Sequence, residues 1–295
     1  SEFFYDHAGA RLPGDAGQLT VIGRSSLAFD PSIVAMRQAE ISAADGRKRA
    51  GQGLEVDLAA PRLLISDAGT APDASWSLID QNKLNALGAA SLLLGGVRTI
   101  DGATTRIETI ASQVHVHNNG VANAQQALRG PELMLSATNE VKLAAGSRIE
   151  ASGDAIERSV TLDGDGAFLR AAAGNQAMVT RAGTVSRTQG NLLLTSGASV
   201  AGRSLVFDAT NSTILSGTVA LGTLQADSSR SGGYLALGAG RINIVGDSTI
   251  PADGLSLDST ALVRFALADQ LRLTSYTTLD LYGNVLLGTA ELKEL

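Results

Sequence analysis

The sequence predicts an all-β chain wound as a right-handed parallel β-helix. Three observations lead there: short apolar pairs at alternate positions recur along the chain, turn residues punctuate them, and bulky rings are scarce. Leu92 and Leu94 precede Gly95-Gly96, and Val114 and Val116 precede Asn118-Asn119-Gly120. Leu133 with Leu135, Val141 with Leu143, Leu192 with Leu194, and Leu205 with Phe207 repeat the pattern. Val219 with Leu221, Leu235 with Leu237, Ile242 with Ile244, and Leu255 with Leu257 extend it. Leu271 with Leu273 and Leu279 with Leu281 carry it to the end of the chain.

Alternation places each pair on one face of a strand. Strands this short make poor hairpins, but they stack well on equivalents in neighbouring layers of a solenoid. From Leu192 onward the pairs recur every 13 to 16 residues or so, a degenerate repeat. Gly197, Gly202, Gly217 and Gly240 are expected at corners that need left-handed backbone. With 33 glycines and aromatics at 4%, aliphatic layers must fill the interior. At about 20 residues per layer and about 4.8 Å between layers, the rod should be roughly 60 to 70 Å long.

Residues 1–61 alternate poorly and read as irregular N-terminal layers with an exposed loop at 45–53; residues 62–295 read as the β-helix. Within it, residues 80–87 (Asp-Gln-Asn-Lys-Leu-Asn-Ala-Leu) predict a short helix. Asp80 is its N-cap, Leu84 and Leu87 share a face, and Gly88 suits the position just past its end. Trp76 is expected to pin that helix against the stack. Residues 121–129, rich in Ala and Gln, are a candidate second helix or loop.

The net charge of −6 argues against a nucleic-acid partner, because phosphate binding needs clustered Lys and Arg. Apolar runs fall far short of a bilayer span, so no membrane span is expected. The absence of cysteine suits export through an oxidising compartment. Ser1-Glu2-Phe3 has no leader pattern, and the chain reads as an excerpt of a longer protein.

Candidate chemistry is sparse. Asp163-Gly-Asp165-Gly places two carboxylates close together, as calcium requires, but further oxygen ligands are missing and a β-turn is the simpler reading. His115 and His117 share a strand face opposite Val114 and Val116 and should point to solvent; two ligands do not make a zinc site. Glycoside hydrolysis needs two carboxyls, and Asp154 with Glu157 or Asp208 with Asp227 are the pairs to consider. Nothing singles them out, and Trp76, Tyr234, Tyr276 and Tyr282 are scattered. No catalytic residue, cofactor or metal is therefore expected. The alternative kept open is a carbohydrate-active β-helix enzyme, a polysaccharide lyase or glycoside hydrolase.

Residues 84–98 (Leu-Asn-Ala-Leu-Gly-Ala-Ala-Ser-Leu-Leu-Leu-Gly-Gly-Val-Arg) closely resemble a segment of filamentous haemagglutinin-type proteins, the large exoproteins of bacterial two-partner secretion. Residues 163–170 (Asp-Gly-Asp-Gly-Ala-Phe-Leu-Arg) and 130–135 (Gly-Pro-Glu-Leu-Met-Leu) are similar to the same family, and the likeness spans roughly residues 61–174. The resemblance implies a secreted, cell-surface β-helical filament and a dedicated outer-membrane transporter as export partner. It further implies roles in adhesion or contact-dependent toxin delivery, with a receptor or glycan on a host or neighbouring cell. The Asn-rich motifs of the family's secretion domain are absent, and Arg129-Gly130 is followed by Pro131 rather than Asp. That pattern suits an internal or distal stalk segment.

Overall fold

The computed structural model describes residues 15–285 except 32, 34–40, 43–47, 50, 68–70, 119–125, 175–177, 226–229, 247–250, 252 and 266–267. Strands dominate, and two short helices, Gln81–Ala86 and Ser259–Phe265, interrupt them. The chain is all-β, and most of its strand pairs are parallel.

Three sheets contribute to one aliphatic core. The first has nine strands: Gln18–Ile22, Glu55–Ala59, Ser91–Leu94, Glu132–Ala137, Ala167–Ala172, Ser204–Ala209, Tyr234–Val245 and Leu255–Leu257 in that order, with Gln270–Tyr282 also on Tyr234–Val245. The second, of six strands, runs from Ser77–Asp80 through Arg62–Ser66, Gln113–His117, Glu140–Leu143 and Asn191–Leu194 to Ser212–Leu215. The third stacks Leu128–Gly130, Arg148–Ala151, Ser199–Gly202 and Thr218–Leu221. The chain visits the sheets in turn, so each short strand pairs with its counterpart in the next layer.

Register explains why apolar pairs recur. Ile65, Val116, Leu143, Leu194 and Leu215 form one row across the six-stranded sheet. Leu58, Leu94, Leu135, Leu169, Phe207 and Leu237 form another across the nine-stranded sheet. Leu192, Leu194, Leu205, Phe207, Val219 and Leu221 are all buried, as their alternation predicts. At the last strand the pattern fails: Leu271, Leu279 and Leu281 are 39%, 42% and 61% exposed. Among the described residues Gln270–Tyr282 pairs on one side only, and no further layer there covers these leucines.

Several expectations need correction. Ladders are not parallel throughout: Ala167–Ala172 runs antiparallel to both Glu132–Ala137 and Ser204–Ala209. The chain leaves the third sheet for an outer strand, Ser159–Asp163, and returns through the Gly164-Asp165-Gly166 turn, which reverses it. Gly166 has φ +150°, and a Cβ there would lie 2.8 Å from the Ala137 carbonyl oxygen. Stacked at roughly 4.8 Å, the nine-stranded sheet extends on the order of 35 Å, shorter than expected because such detours consume chain. Of the four corner glycines, Gly197 is left-handed at φ +82°. Gly202, Gly217 and Gly240 are needed for close backbone approach instead, with Gly240 packed against the Asn211 carbonyl.

The helix Gln81–Ala86 forms as read, with the Asp80 carboxylate accepting from the Asn82 amide at 2.7 Å and Leu84 and Leu87 buried. Of the second helix candidate, residues 121–125 lie outside the described residues, and Leu128–Gly130 is a strand. The second helix sits instead at Ser259–Phe265, where Asp258 caps the Ala261 amide. Strands Gln18–Ile22 and Glu55–Ala59 already belong to the nine-stranded sheet.

Candidate functional site

Most strands of the nine-stranded sheet are buried on both faces. An outer sheet of Val179–Ala182, Ser159–Asp163, Thr104–Thr109 and Gly96–Asp101 covers the face turned away from the main core. Leu93, Met134, Phe168 and Val206 pack there against Ile107, Val160 and Leu162. Beside this second core runs a buried row of charge. Arg98, 1% exposed, donates from Nε to Asp57 Oδ1 at 2.5 Å and from Nη1 to Glu55 Oε2 at 3.0 Å and to Ser91 Oγ at 2.7 Å. Ser91 Oγ donates to Glu132 Oε2 at 2.5 Å. Glu132 Oε1 accepts from Arg170 Nε at 2.7 Å, and Arg170 Nη1 donates to Ser204 Oγ at 3.2 Å. Arg158 closes the other end on Glu55.

Three guanidiniums thus face three carboxylates, so the row is neutral as a whole. Burying such charges costs several kcal/mol each, and only partners with good geometry offset it. Arg98 comes from the outer sheet and Asp57 from the inner, so the network fixes one layer on the other. The alternation that turns Leu205 inward predicts that neighbouring Ser204 faces solvent; it is buried instead, because it lies under this row.

The outer sheet ends at Val179–Ala182, short of the last strands of the nine-stranded sheet, although Tyr234 and Ala236 still pack into the second core. Beyond that edge lies a hollow of about 300 Å³. Its floor is low because Ala236 and Gly238 occupy the register positions of Val206 and Asp208 in the next strand. Asp208 needs that space: a Cβ on Gly238 would lie 2.0 Å from its Oδ1. The Asp208 carboxylate accepts from Arg181 Nε at 2.7 Å and from the Tyr276 hydroxyl at 2.7 Å. Burial, followed by the negative charge of Asp208, pushes the Tyr276 hydroxyl well above its usual range, so the phenol stays protonated. Arg272 and Thr274 complete the far wall, on the same face of the last strand as Tyr276.

The sequence candidates fall elsewhere. Both oxygens of Asp163 are held by Arg106 at 2.8 Å, in a bidentate pair at the surface. Asp165 accepts from the Ser186 hydroxyl and from the amides of Ser186 and Arg187. Burial pushes its pKa up, but these hydrogen bonds outweigh it and hold the carboxyl below the usual range. The turn carbonyls of Gly164 and Gly166 accept from Arg181 at 3.0 and 2.8 Å, so a guanidinium stands where a cation would have to sit. Among the described residues no three His, Cys, Asp or Glu side chains gather as a metal set.

Asp154 and Glu157 are exposed, and Asp227 lies outside the described residues. Tyr282 accepts from Arg241 at 2.9 Å, away from Asp208. Trp76 does not brace the helix. Its ring sits 4.6 Å from that of His115 and under Arg62 at 5.7 Å, on the outer face of the six-stranded sheet. His117 is exposed as expected, whereas His115 is half-buried and hydrogen-bonded to Glu140 at 2.7 Å.

Burial lowers the His115 pKa, and the pull of Glu140 does not restore it. The unfolded chain therefore binds a proton more readily than the folded one. The stability His115 contributes is complete above pH 6.5 and is lost as pH falls from there through the depressed folded value. Fluorescence of Trp76, the single tryptophan, should report this, because a protonated imidazole quenches indole. A titration midpoint below 6.5 is expected, abolished by His115→Gln; a midpoint at or above 6.5 would show that Glu140 dominates.

No protein-family model matches this chain, and neither a curated protein nor a solved structure matches it. No described helix is long and apolar enough to cross a membrane.

Proposed function

We propose that the stacked layers form a right-handed parallel β-helix that serves as a stalk segment of a secreted, cell-surface adhesin of filamentous haemagglutinin type. The observation that carries this reading is the in-register stacking of short strands in three sheets around one aliphatic core, with each layer supported mainly by its neighbours. Right-handedness follows from the general rule for parallel crossovers. Such an array is extended by adding layers, which is what a spacer between an outer membrane and a distal module requires. Export through an outer-membrane transporter, and a surface receptor or glycan as the distal partner, belong to the same reading.

The chain is taken as non-enzymatic. Hydrolysis of a glycosidic bond needs two carboxyl groups flanking it. Asp208 is the one carboxylate lining the hollow, and Arg181 and Tyr276 already engage it.

Antibodies raised against the chain should label intact bacteria that express the parent protein, with immunogold particles standing off from the outer membrane. Labelling only after permeabilisation would overturn the surface reading. Incubation with soluble oligosaccharides, including uronate-containing ones, should yield no shortened or unsaturated products. Their appearance would favour the lyase or hydrolase instead.

A further inference from the structure

The hollow beyond the edge of the outer sheet has features that layer stacking alone does not require. Elsewhere on this face the nine-stranded sheet carries Leu93, Met134, Phe168 and Val206, which fill the space under the outer sheet. Here Ala236 and Gly238 leave the space open, and the walls set Arg181, Asp208, Arg272 and Thr274 beside Val179 and Val185. Arg181 and Asp208 neutralise each other at 2.7 Å. Arg272 lines the same hollow from the neighbouring strand, and its side chain makes no ion pair or hydrogen bond among the described residues. The site therefore carries one uncompensated positive charge.

We propose that this hollow binds a monoanionic, hydroxylated ligand of monosaccharide size through its carboxylate, a uronic acid being the simplest case. A guanidinium presents a planar fork that matches a carboxylate bidentately. The single net charge suits one carboxylate better than a dianionic phosphate. The hydroxyl of Thr274 offers a partner for a sugar hydroxyl, and the Tyr276 ring with Val185 offers an apolar surface to a ring's C–H face. A volume of about 300 Å³ admits one sugar unit, open on one side to the rest of a chain.

Site and stalk readings are separable. A rod with an empty hollow would leave the surface labelling intact, and binding without surface display would leave the site intact.

The test is calorimetric titration of the full chain with glucuronate, glucose and inorganic phosphate, followed by Arg272→Met and, as a control, Arg264→Met on the distant helix. Glucuronate should bind and glucose should not, with phosphate weaker than glucuronate. Arg272→Met should weaken glucuronate by about tenfold or more, the usual effect of losing a charge-assisted pair, while Arg264→Met leaves it unchanged. A thermal melt confirms that Arg272→Met folds, and Thr274→Val provides a second, uncharged probe expected to weaken binding several-fold. Absence of glucuronate binding, equal binding of glucose, phosphate bound as tightly as glucuronate, or affinity indifferent to Arg272→Met would each overturn the assignment.

Discussion

Replacing Arg98 with Met should be among the most destabilising single changes in the chain, lowering stability by about 3–5 kcal/mol. The side chain holds Asp57, which is fully buried, and Glu55, which is 4% exposed. Without it, Gln18 Nε2 at 3.0 Å is the remaining side-chain donor to Asp57, and Arg158 alone holds Glu55. The loss comes mainly from stranding a buried carboxylate, not from the worth of the pair. Arg98→Met combined with Asp57→Leu should therefore recover most of it, because an apolar pair of similar volume is tolerated where half an ion pair is not. Thermal melts of the two single variants and the double variant decide the matter. A melting temperature for Arg98→Met within a degree or two of the parent would show that the row contributes no stability.

Leu205→Asp should cost at least several kcal/mol, since it places an unpaired carboxylate in the main core between Ala171 and Leu235. The comparison that shows this is not a general effect of added charge is Thr218→Asp, at an exposed position beside buried Val219. Such surface changes usually stay within about 0.5 kcal/mol. Ser204→Asp, one residue away, tests something different. Ser204 is as buried as Leu205, but it accepts from Arg170 Nη1, and Arg170 Nη2 beside it has no partner. A carboxylate there meets a guanidinium, so its loss should fall between the other two. Equal melting temperatures for Leu205→Asp and Thr218→Asp would show that the inward assignment of Leu205 is wrong.

What the sequence made legible is the inner face of the sheets. The alternation of Leu192 with Leu194 or Val219 with Leu221 reflects strands with one face in the core and one towards solvent, and there period 2 is unambiguous. Alternation alone does not reveal the outer layer. In Leu92-Leu93-Leu94, Leu133-Met134-Leu135 and Leu205-Val206-Phe207 the middle residue is apolar too, and a continuous apolar run signals burial on both faces. Arg170 within Ala-Phe-Leu-Arg-Ala-Ala was the matching sign, a charge inside an apolar strand. Its partners lie 34 or more residues away, so spacing could not reveal them.

The hollow was equally hidden. Arg181, Asp208 and Arg272 meet only because three strands far apart in sequence become neighbours. By contrast, the Asp80 cap and the Asp163-Gly-Asp165-Gly turn were readable, since both depend on contacts or conformations within a few residues.

The reversed strand Ala167–Ala172 also imposes a schedule on folding. A stack of identical passes could grow at one end, each new pass laid on the last as soon as it is available. Here the layer after Arg148–Ala151 cannot be completed that way. Its side in the nine-stranded sheet is supplied by a strand hanging from the outer sheet, which pairs Ser159–Asp163 with Thr104–Thr109 some fifty residues earlier. Growth of the nine-stranded sheet is therefore expected to pause at this layer until that long-range contact closes, because loop closure makes such a step slow, and a single fast refolding phase would show that it does not. Ser204–Ala209 has no template in the nine-stranded sheet before that contact closes, whereas Ser212–Leu215 and Thr218–Leu221 can stack at once on Asn191–Leu194 and Ser199–Gly202, so the detour delays one sheet of the three.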